Sequence, residues 1–247
     1  MDWFEDEDLW VEFAEVMFPQ RREAEAAELV AASPLLKVST GMRVLDLACG
    51  PAVHVVPLAR ACAEVTGVDL SPAMLARARA ACDRAGVSAR LVHANMLEYT
   101  APGAFDLVIN MYTSFGYFTD PGDNLTVLRN IHASLAPGGA AVVDLLGKEV
   151  LAGWVGRPQA VDVPGGGTVF MRDTILSDWT RLRTDWTLVR GGTVREKSIL
   201  SHLYSAAELR TLFEEAGFVD VACFGGFDAS PYDNHARRLI VRGYRAD

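Results

Sequence analysis

The chain has 247 residues, of which 50% are hydrophobic and 22% are charged. This length and composition suit one large domain with a substantial core, and they exclude a disordered tail, a collagen-like repeat and a small disulfide-stapled scaffold. The 32 acidic residues outnumber 23 Lys and Arg, which gives a formal net charge of −9. Because an acidic surface repels a phosphate backbone, we expect no nucleic-acid partner.

The predicted elements alternate between helix and strand up to residue 148. Apolar residues at helical spacing predict one or two helices over residues 8–32, interrupted at Pro19. Strands that alternate with helices indicate a buried parallel sheet in an α/β fold. The strands are predicted over 43–48, 64–69, 90–93, 105–110 and 140–146, and the helices over 53–62, 72–85 (capped by Ser71) and 124–135 (closed by a Pro-Gly-Gly turn).

The pattern changes after Lys148. Strands predicted over 168–175, 180–189 and 194–203 are separated by short turns, which favours an antiparallel meander inserted over one edge of the site. Ser205 and Glu208 form a capping-box pattern that opens a helix to residue 216. Two more strands are predicted over 219–224 and 238–244.

The cysteines and the N-terminus favour a reduced, cytoplasmic protein. The sequence MDWFEDEDLW lacks the basic segment of a secretory signal, and no apolar run is long enough to cross a bilayer, so we expect no membrane partner. The cysteine spacing predicts neither a metal site nor a disulfide framework. Four cysteines are scattered without a C-x-x-C pair: Cys49, Cys62, Cys82 and Cys223.

A glycine turn follows the first predicted strand. Gly50 forms this turn, and Asp69 ends the second strand. Nucleotide-like ligands bind at the carboxyl ends of parallel strands, where an acidic side chain can accept hydrogen bonds from ribose hydroxyls. A dinucleotide requires G-x-G-x-x-G, but Ala52 and Val55 stand at the second and third glycine positions, which argues against NAD or FAD.

Four motifs occur in order along the chain: VLDLACGPA from Val44, VTGVDLSPAML from Val65, FDLVINMYTSFGYF from Phe105 and LAPGG from Leu135. With the tail YSAAELRTLFEEAGF and the final RRLIV, they resemble the class I S-adenosylmethionine-dependent methyltransferases. The stretch TSFGYF is similar to the subgroup of bacterial natural-product and deoxyamino-sugar N-methyltransferases.

The resemblance implies a seven-stranded, Rossmann-like, mostly parallel sheet with an antiparallel last strand. It divides a single methyltransferase domain, residues 1–247, into four parts. These are a helical lid (1–40), a cofactor-binding core (41–148), a small antiparallel β insertion (149–204) and the C-terminal part of the core sheet (205–247).

S-adenosyl-L-methionine is the implied cofactor, with S-adenosyl-L-homocysteine as product. On the family pattern, Asp69 would bind the ribose. For the lid residues named below, the alternative to contact with the cofactor is packing in the core or exposure to solvent. The methionine moiety would face Asp46, Ala48, Cys49 and Gly50. The adenine would lie beside Leu70, Met74, Asn95, Met96 and Leu97, with Asn95 where the family usually has Asp. The sulfonium end would meet Asn110 and Met111, and the lid would contribute Trp10, Phe18 and Arg21.

Ala52 departs from the family glycine. If the backbone there needs a positive φ or a close approach to the methionine moiety, its methyl group is costly. We expect binding to survive, since alanine is the smallest perturbation available.

Methyl transfer is an in-line displacement in which the protein mainly positions the reactants, and a general base is needed only for a protonated acceptor. The catalytic candidates are Tyr117, Asn110 and His202. The candidates for contact with the acceptor are Tyr112, Ser114, Tyr117, Trp179, His202, Tyr232 and His235. A packing role is the alternative for the aromatic and histidine side chains among them.

The leading hypothesis is a methyltransferase acting on a small molecule, with an amine nitrogen of a secondary metabolite favoured by the subgroup resemblance. One alternative is O-methylation. Another, motivated by Ala52 and Asn95, is a protein that binds the cofactor without transfer, and a third is a nicotinamide oxidoreductase. The sequence leaves the choice between a monomer and a homodimer open.

Overall fold

The computed structural model describes residues 2–61 and 64–247. The strands are β1 Arg43–Leu47, β2 Glu64–Asp69, β3 Arg90–His93, β4 Phe105–Asn110, β5 Leu135–Leu145, β6 Gln159–Asp162, β7 Thr168–Leu176, β8 Arg181–Arg190, β9 Thr193–His202, β10 Val219–Phe224 and β11 Leu239–Tyr244. The helices are α1 Glu7–Glu12, α2 Ala14–Met17, α3 Arg21–Ala32, α4 Val55–Ala61, α5 Pro72–Ala85, α6 Pro121–Ser134, α7 Lys148–Leu151 and α8 Ala206–Glu215, preceded by a 3-10 turn over Trp3–Glu5.

Seven strands form the central sheet in the order β10-β11-β5-β4-β1-β2-β3. Strands β1 to β5 pair in parallel, and β11 runs antiparallel between β5 and β10. Residues 44–47 of β1 are buried, as expected of a strand with helices on both faces of its sheet. The α/β prediction, including the antiparallel strand near the end of the chain, is confirmed.

Local sequence signals explain most helix ends. Ser71 caps α5 by accepting a hydrogen bond from the Met74 N–H, and Gly86 ends the helix at φ 66°. Helix α6 starts three residues before the prediction because Asp120 caps it, with proline at its first turn. Strand β5 begins directly after α6, so the Pro-Gly-Gly turn lies within the strand. Helix α4 is described from Val55 to Ala61; the predicted end at Cys62 lies outside the described residues.

The N-terminal segment and the insertion each hold more elements than predicted. Phe13 separates α1 from α2, so the segment contains three short α-helices instead of one or two. The insertion is a four-stranded antiparallel sheet in the order β6-β7-β8-β9. Strand β6 escaped prediction because its four residues are all exposed and carry no alternating pattern.

The N-terminal segment and the insertion sheet join into one cover over the central sheet. Three lid residues form an apolar cluster with three insertion residues: Leu9, Phe13 and Met17 with Val163, Val169 and Leu188. Among the described residues, no helix meets the length and hydropathy that a bilayer crossing requires.

Candidate active site

A cavity of about 640 Å³ separates the carboxyl ends of β1, β2 and β4 from the cover. This volume is within the range of small-molecule sites. Its floor includes Gly50, Asp69 and Met111, and its far wall is the inner face of the insertion sheet. The predicted glycine turn therefore opens into an enclosed space that extends well beyond the turn.

Asp69 organises the turn after β1. One carboxylate oxygen accepts a hydrogen bond from the Gly50 N–H at 2.7 Å, and the other accepts one from the Ser71 N–H at 2.9 Å. Burial raises the pKa of Asp69, and these two backbone donors oppose the rise. The carboxylate lines the cavity. It thus presents hydrogen-bond acceptors to a ligand from a fixed position.

Ala52 adopts the left-handed backbone conformation, with φ 71°. Its side chain is 1% exposed, belongs to the core cluster that includes Val55 and Leu58, and does not line the cavity. The methyl group therefore costs backbone strain but does not narrow the space above Gly50.

Asp46 and Asn110 lie behind the cavity wall. Asp46 is 1% exposed, and its Oδ2 has no hydrogen-bond partner among the described residues. Burial, with the charge of Asp69 added, raises the pKa of Asp46 to about 8. The Asn110 amide is fully buried and donates to the Leu47 carbonyl at 2.9 Å, so it ties β4 to β1 without lining the cavity.

The predicted adenine side is mostly apolar. Leu70, Met74 and Met96 line the cavity there. Asn95 lines it too, and its Oδ1 accepts a hydrogen bond from the Leu97 N–H at 2.9 Å. The amide NH₂ of Asn95 is the group left for a ligand. Leu97 packs beside the core instead of lining the cavity.

Three predicted lid residues, Trp10, Phe18 and Arg21, line the cavity. The Trp10 indole donates to the Phe4 carbonyl at 2.8 Å, which fixes its ring. A Cβ placed on Gly50 would lie 3.3 Å from the Phe18 ring, so this ring sits directly over the turn. The Arg21 side chain is 72% exposed and faces Glu25 at 3.6 Å.

Arg22, which the sequence reasoning missed, is the more enclosed cation of the lid. It lines the cavity with its guanidinium 4.2 Å from the centre of the Tyr112 ring. Burial lowers its pKa. In the part of the chain that the structure describes, no carboxylate lies within 4.0 Å of its guanidinium.

The loop after β4 is held by an ion pair between the buried Asp144 and the partly buried Arg238, which the sequence reasoning also missed. Tyr112 and Thr113 line the cavity at φ 56° and 65°. Asp144 accepts a hydrogen bond from the Tyr112 N–H at 3.0 Å and pairs with Arg238 at 2.6 Å. Arg238 also donates to the Thr113 hydroxyl at 3.1 Å. This network holds the strained loop in place.

Tyr117 and Ser114 line the cavity as predicted for the acceptor end. Burial raises the pKa of Tyr117 to about 12, so its hydroxyl stays protonated at neutral pH. Its ring centre lies 4.4 Å from that of Trp3. Ser114 donates to the Met111 carbonyl at 2.8 Å.

Four predicted acceptor contacts do not reach the cavity. Ser201, which precedes His202 on β9, lines the cavity. Because side chains alternate along a strand, His202 points away from the cavity. Its Nε2 lies 3.0 Å from the Thr119 carbonyl oxygen. Trp179 is 38% exposed in the turn between β7 and β8. Tyr232 donates to Glu149 at 2.9 Å, and His235 is exposed in the loop between β10 and β11.

Trp186 lines the cavity in place of Trp179. Strand β8 alternates charged or polar residues with Leu182, Thr184, Trp186 and Leu188. This alternation, visible in the sequence, could have selected the right tryptophan. Among the described residues, no group of three or more His, Cys, Asp or Glu side chains is placed to hold a metal ion.

Comparisons with known proteins agree with the fold and the motifs. Residues 44–139 match the family described as a methyltransferase domain. A cypemycin N-terminal methyltransferase from a Streptomyces species is 28% identical over 207 residues, covering 81% of this chain and 82% of the relative. A dTDP-3-amino-3,6-dideoxy-alpha-D-glucopyranose N,N-dimethyltransferase from Streptomyces fradiae is 29% identical over 182 residues, covering 70% and 69%.

The solved structure of the CcbJ methyltransferase from Streptomyces caelestis is similar over the whole chain. It has a TM-score of 0.78 at 18% identity and covers 100% of this chain and 99% of that one. At this identity the likeness shows the fold alone. Residues 44–139, which hold the four motifs, therefore match a methyltransferase domain, and the whole chain has the Rossmann-like fold of the CcbJ structure.

Proposed function

We propose that this protein transfers a methyl group from S-adenosylmethionine to the amine nitrogen of a small molecule. The observation that carries the proposal is a single cavity that joins the Gly50 turn and the Asp69 carboxylate to an apolar wall on the insertion sheet. One end has the groups that suit a nucleoside, and the other leaves room for an acceptor.

The side chains fit the cofactor group by group. Asp69 is placed to accept hydrogen bonds from the ribose hydroxyls, and Leu70 and Met74 offer an apolar surface to the adenine. Arg22, which pairs with no carboxylate among the residues that the structure describes, suits the methionine carboxylate. Bound there, S-adenosylmethionine supplies an electrophilic methyl group on a sulfonium.

Catalysis by positioning follows from the groups at the acceptor end. The acceptor nitrogen forms the new N–C bond as the S–C bond breaks, and the product ammonium releases its proton to solvent. Tyr117 orients the acceptor by hydrogen bonding and does not act as an anionic base, because its raised pKa keeps the phenol protonated. His202, turned away from the cavity, takes no part.

An amine is preferred to an oxygen acceptor because both curated relatives above are named as N-methylating enzymes. Transfer is preferred to cofactor binding alone because the Ala52 methyl group stays out of the cavity. A cytoplasmic location and a small-molecule acceptor complete the proposal.

The proposal is tested by calorimetric titration of S-adenosylhomocysteine into the wild-type chain and the Asp69→Asn variant. Loss of the carboxylate removes charge-assisted hydrogen bonds, so we expect affinity to fall by about tenfold or more. Asp83→Asn, an exposed change on α5, is the matched control and should leave affinity unchanged. Binding of NAD in place of S-adenosylhomocysteine, or equal affinity in both variants, would contradict the assignment.

A further inference from the structure

The insertion sheet turns to the far half of the cavity a face from which no Lys or Arg lines the cavity. Side chains alternate along its strands, so the charged Arg172 and Arg183 lie on the opposite face from the cavity, where Arg183 pairs with Asp185 at 3.1 Å. The side chains that reach the cavity from β7, β8 and β9 are apolar or small and polar: Met171, Leu182, Thr184, Trp186, Ile199 and Ser201.

The remaining cations on the cavity side of β8 and β9 are already paired with carboxylates of the lid. The pairs are Lys197 with Asp6 at 2.6 Å, Arg195 with Glu12 at 3.4 Å, and Arg190 with Glu15 at 2.5 Å. They dock the lid on the sheet. Over residues 159–202, all of which the structure describes, no Lys or Arg lines the cavity.

Carboxylates, by contrast, stand close to this half of the cavity. Glu15 and Asp162 line it. Asp173 lies behind Thr184 and accepts its hydroxyl hydrogen bond at 2.6 Å. A phosphate placed against this wall would meet the Asp162 carboxylate, the Glu15–Arg190 pair and no unpaired Lys or Arg, so its negative charge would be unfavourable there.

Trp186 adds one polar atom that lacks a partner. Its ring centre lies 5.5 Å from that of Phe13, which fixes the indole in the lid–insertion cluster. The indole Nε1 is buried and has no hydrogen-bond acceptor among the described residues. A buried N–H without an acceptor is costly, so a ligand oxygen that accepted this hydrogen bond would stabilise the complex.

Resting on the methyltransferase function proposed above, we infer that the acceptor is a phosphate-free amine with an apolar body. The body lies against the inner face of the insertion sheet, and an oxygen of the acceptor takes the Trp186 indole hydrogen bond. This class differs from the nucleotide sugar in the name of the Streptomyces fradiae relative, whose two phosphates would need cations that this wall does not offer.

Two probes that share one amino sugar test the inference on the full chain saturated with S-adenosylhomocysteine. They are the octyl glycoside of 3-amino-3,6-dideoxyglucose and the thymidine diphosphate conjugate of the same sugar. We expect the octyl glycoside to bind about tenfold tighter or more by calorimetry, since it has no phosphate charges to desolvate against a wall that offers no unpaired cation. Failure of the octyl glycoside to bind, or equal or tighter binding of the nucleotide sugar, overturns the inference.

The titration of S-adenosylhomocysteine alone separates the two proposals, because its failure contradicts the methyltransferase function itself. Trp186→Phe then tests the hydrogen bond while keeping an aromatic ring. We expect octyl glycoside affinity to fall about tenfold, with S-adenosylhomocysteine affinity unchanged. Trp179→Phe, in the exposed turn, is the control. Unchanged glycoside affinity in Trp186→Phe, or a parallel loss of S-adenosylhomocysteine affinity, overturns the role given to Trp186.

Discussion

Arg22 lies where the lid meets the loop after β4, with its guanidinium over the Tyr112 ring. Its neighbour Arg21, which the sequence reasoning chose as the partner of the methionine carboxylate, is 72% exposed and close to Glu25. A surface ion pair contributes little, while a charge-assisted hydrogen bond in an enclosed cavity is stronger. At the residue scale, enclosure therefore favours Arg22 as the carboxylate partner.

The two arginines can be separated by one pair of variants. Arg22→Gln should weaken S-adenosylmethionine binding about tenfold or more, because it removes a charge-assisted hydrogen bond. Arg21→Gln, the matched control, should change affinity by less than about threefold. Calorimetry on both variants checks this, and a larger effect from Arg21→Gln would return the role to the residue first predicted.

Asp46 predicts a pH dependence of stability. Its folded pKa of about 8 lies well above the usual pKa of an aspartate, so between these values the folded protein holds a proton that the unfolded chain releases. The stability that Asp46 contributes is therefore present below pH 4 and is lost as pH rises toward 8. Asp46→Asn removes this loss. In urea unfolding of the ligand-free protein, the gain in free energy of unfolding from this substitution should grow between pH 5 and pH 8. If the free energies of unfolding of the two proteins change with pH in parallel, the prediction is wrong.

At the element scale, the strand–turn–helix from β1 to α4 concentrates backbone strain. Ala48, Gly50 and Ala52 all adopt positive φ, at 63°, 53° and 71°. Glycine at position 50 meets the requirement without a Cβ, while the two alanines adopt it at a cost of about 1–2 kcal/mol each. The Ala52 methyl recovers part of that cost by packing in the core.

In Ala52→Gly, opposing contributions to the free energy of unfolding therefore nearly cancel. Relief of strain is offset by the chain entropy of glycine and by the lost methyl burial, so stability should stay within about 1 kcal/mol of the wild type. S-adenosylhomocysteine affinity should change by less than about threefold, because the methyl group is outside the cavity. Ala52→Val should destabilise by about 1–3 kcal/mol, since a β-branched residue tolerates this conformation poorly. Thermal unfolding and calorimetry measure both; a large affinity gain in Ala52→Gly would mean that the methyl group does obstruct the ligand.

At the element scale, strong local patterns in the sequence predict the bounds of several strands correctly. The bounds of β2, β3, β4 and β10 match the predicted strands. Buried apolar runs define β2 and β4, whereas β3 and β10 are partly exposed stretches between turn residues. The face on which a side chain lies was harder to predict. His202 and Trp179 were expected at the acceptor end, but strand register turns the first away and leaves the second in an exposed turn.

Contacts between distant residues were beyond prediction. Asp144 and Arg238 are 94 residues apart and form their pair only when β11 inserts beside β5. The position of the Arg22 guanidinium in the cavity depends on its contact with the Tyr112 ring, on the loop after β4. Neither pair leaves a local pattern in the sequence, whereas the Gly50 turn and the acid at the end of β2 do.

At the scale of the whole molecule, the lid and the insertion sheet act as one cover. Their apolar cluster and three ion pairs close the space above the strand ends. A closed space excludes water and holds the reactants in line, which is the main contribution a protein makes to this displacement. On the proposed function, the central sheet positions the nucleoside and the cover selects the acceptor.

A crystal structure grown at saturating S-adenosylhomocysteine tests this arrangement most directly. We expect the ribose hydroxyls within hydrogen-bond distance of the Asp69 carboxylate, the amino-acid end above the Gly50 turn, and open space between the sulfur and Trp186. A nucleoside bound elsewhere in the protein, or electron density showing this cavity empty at saturation, would contradict it.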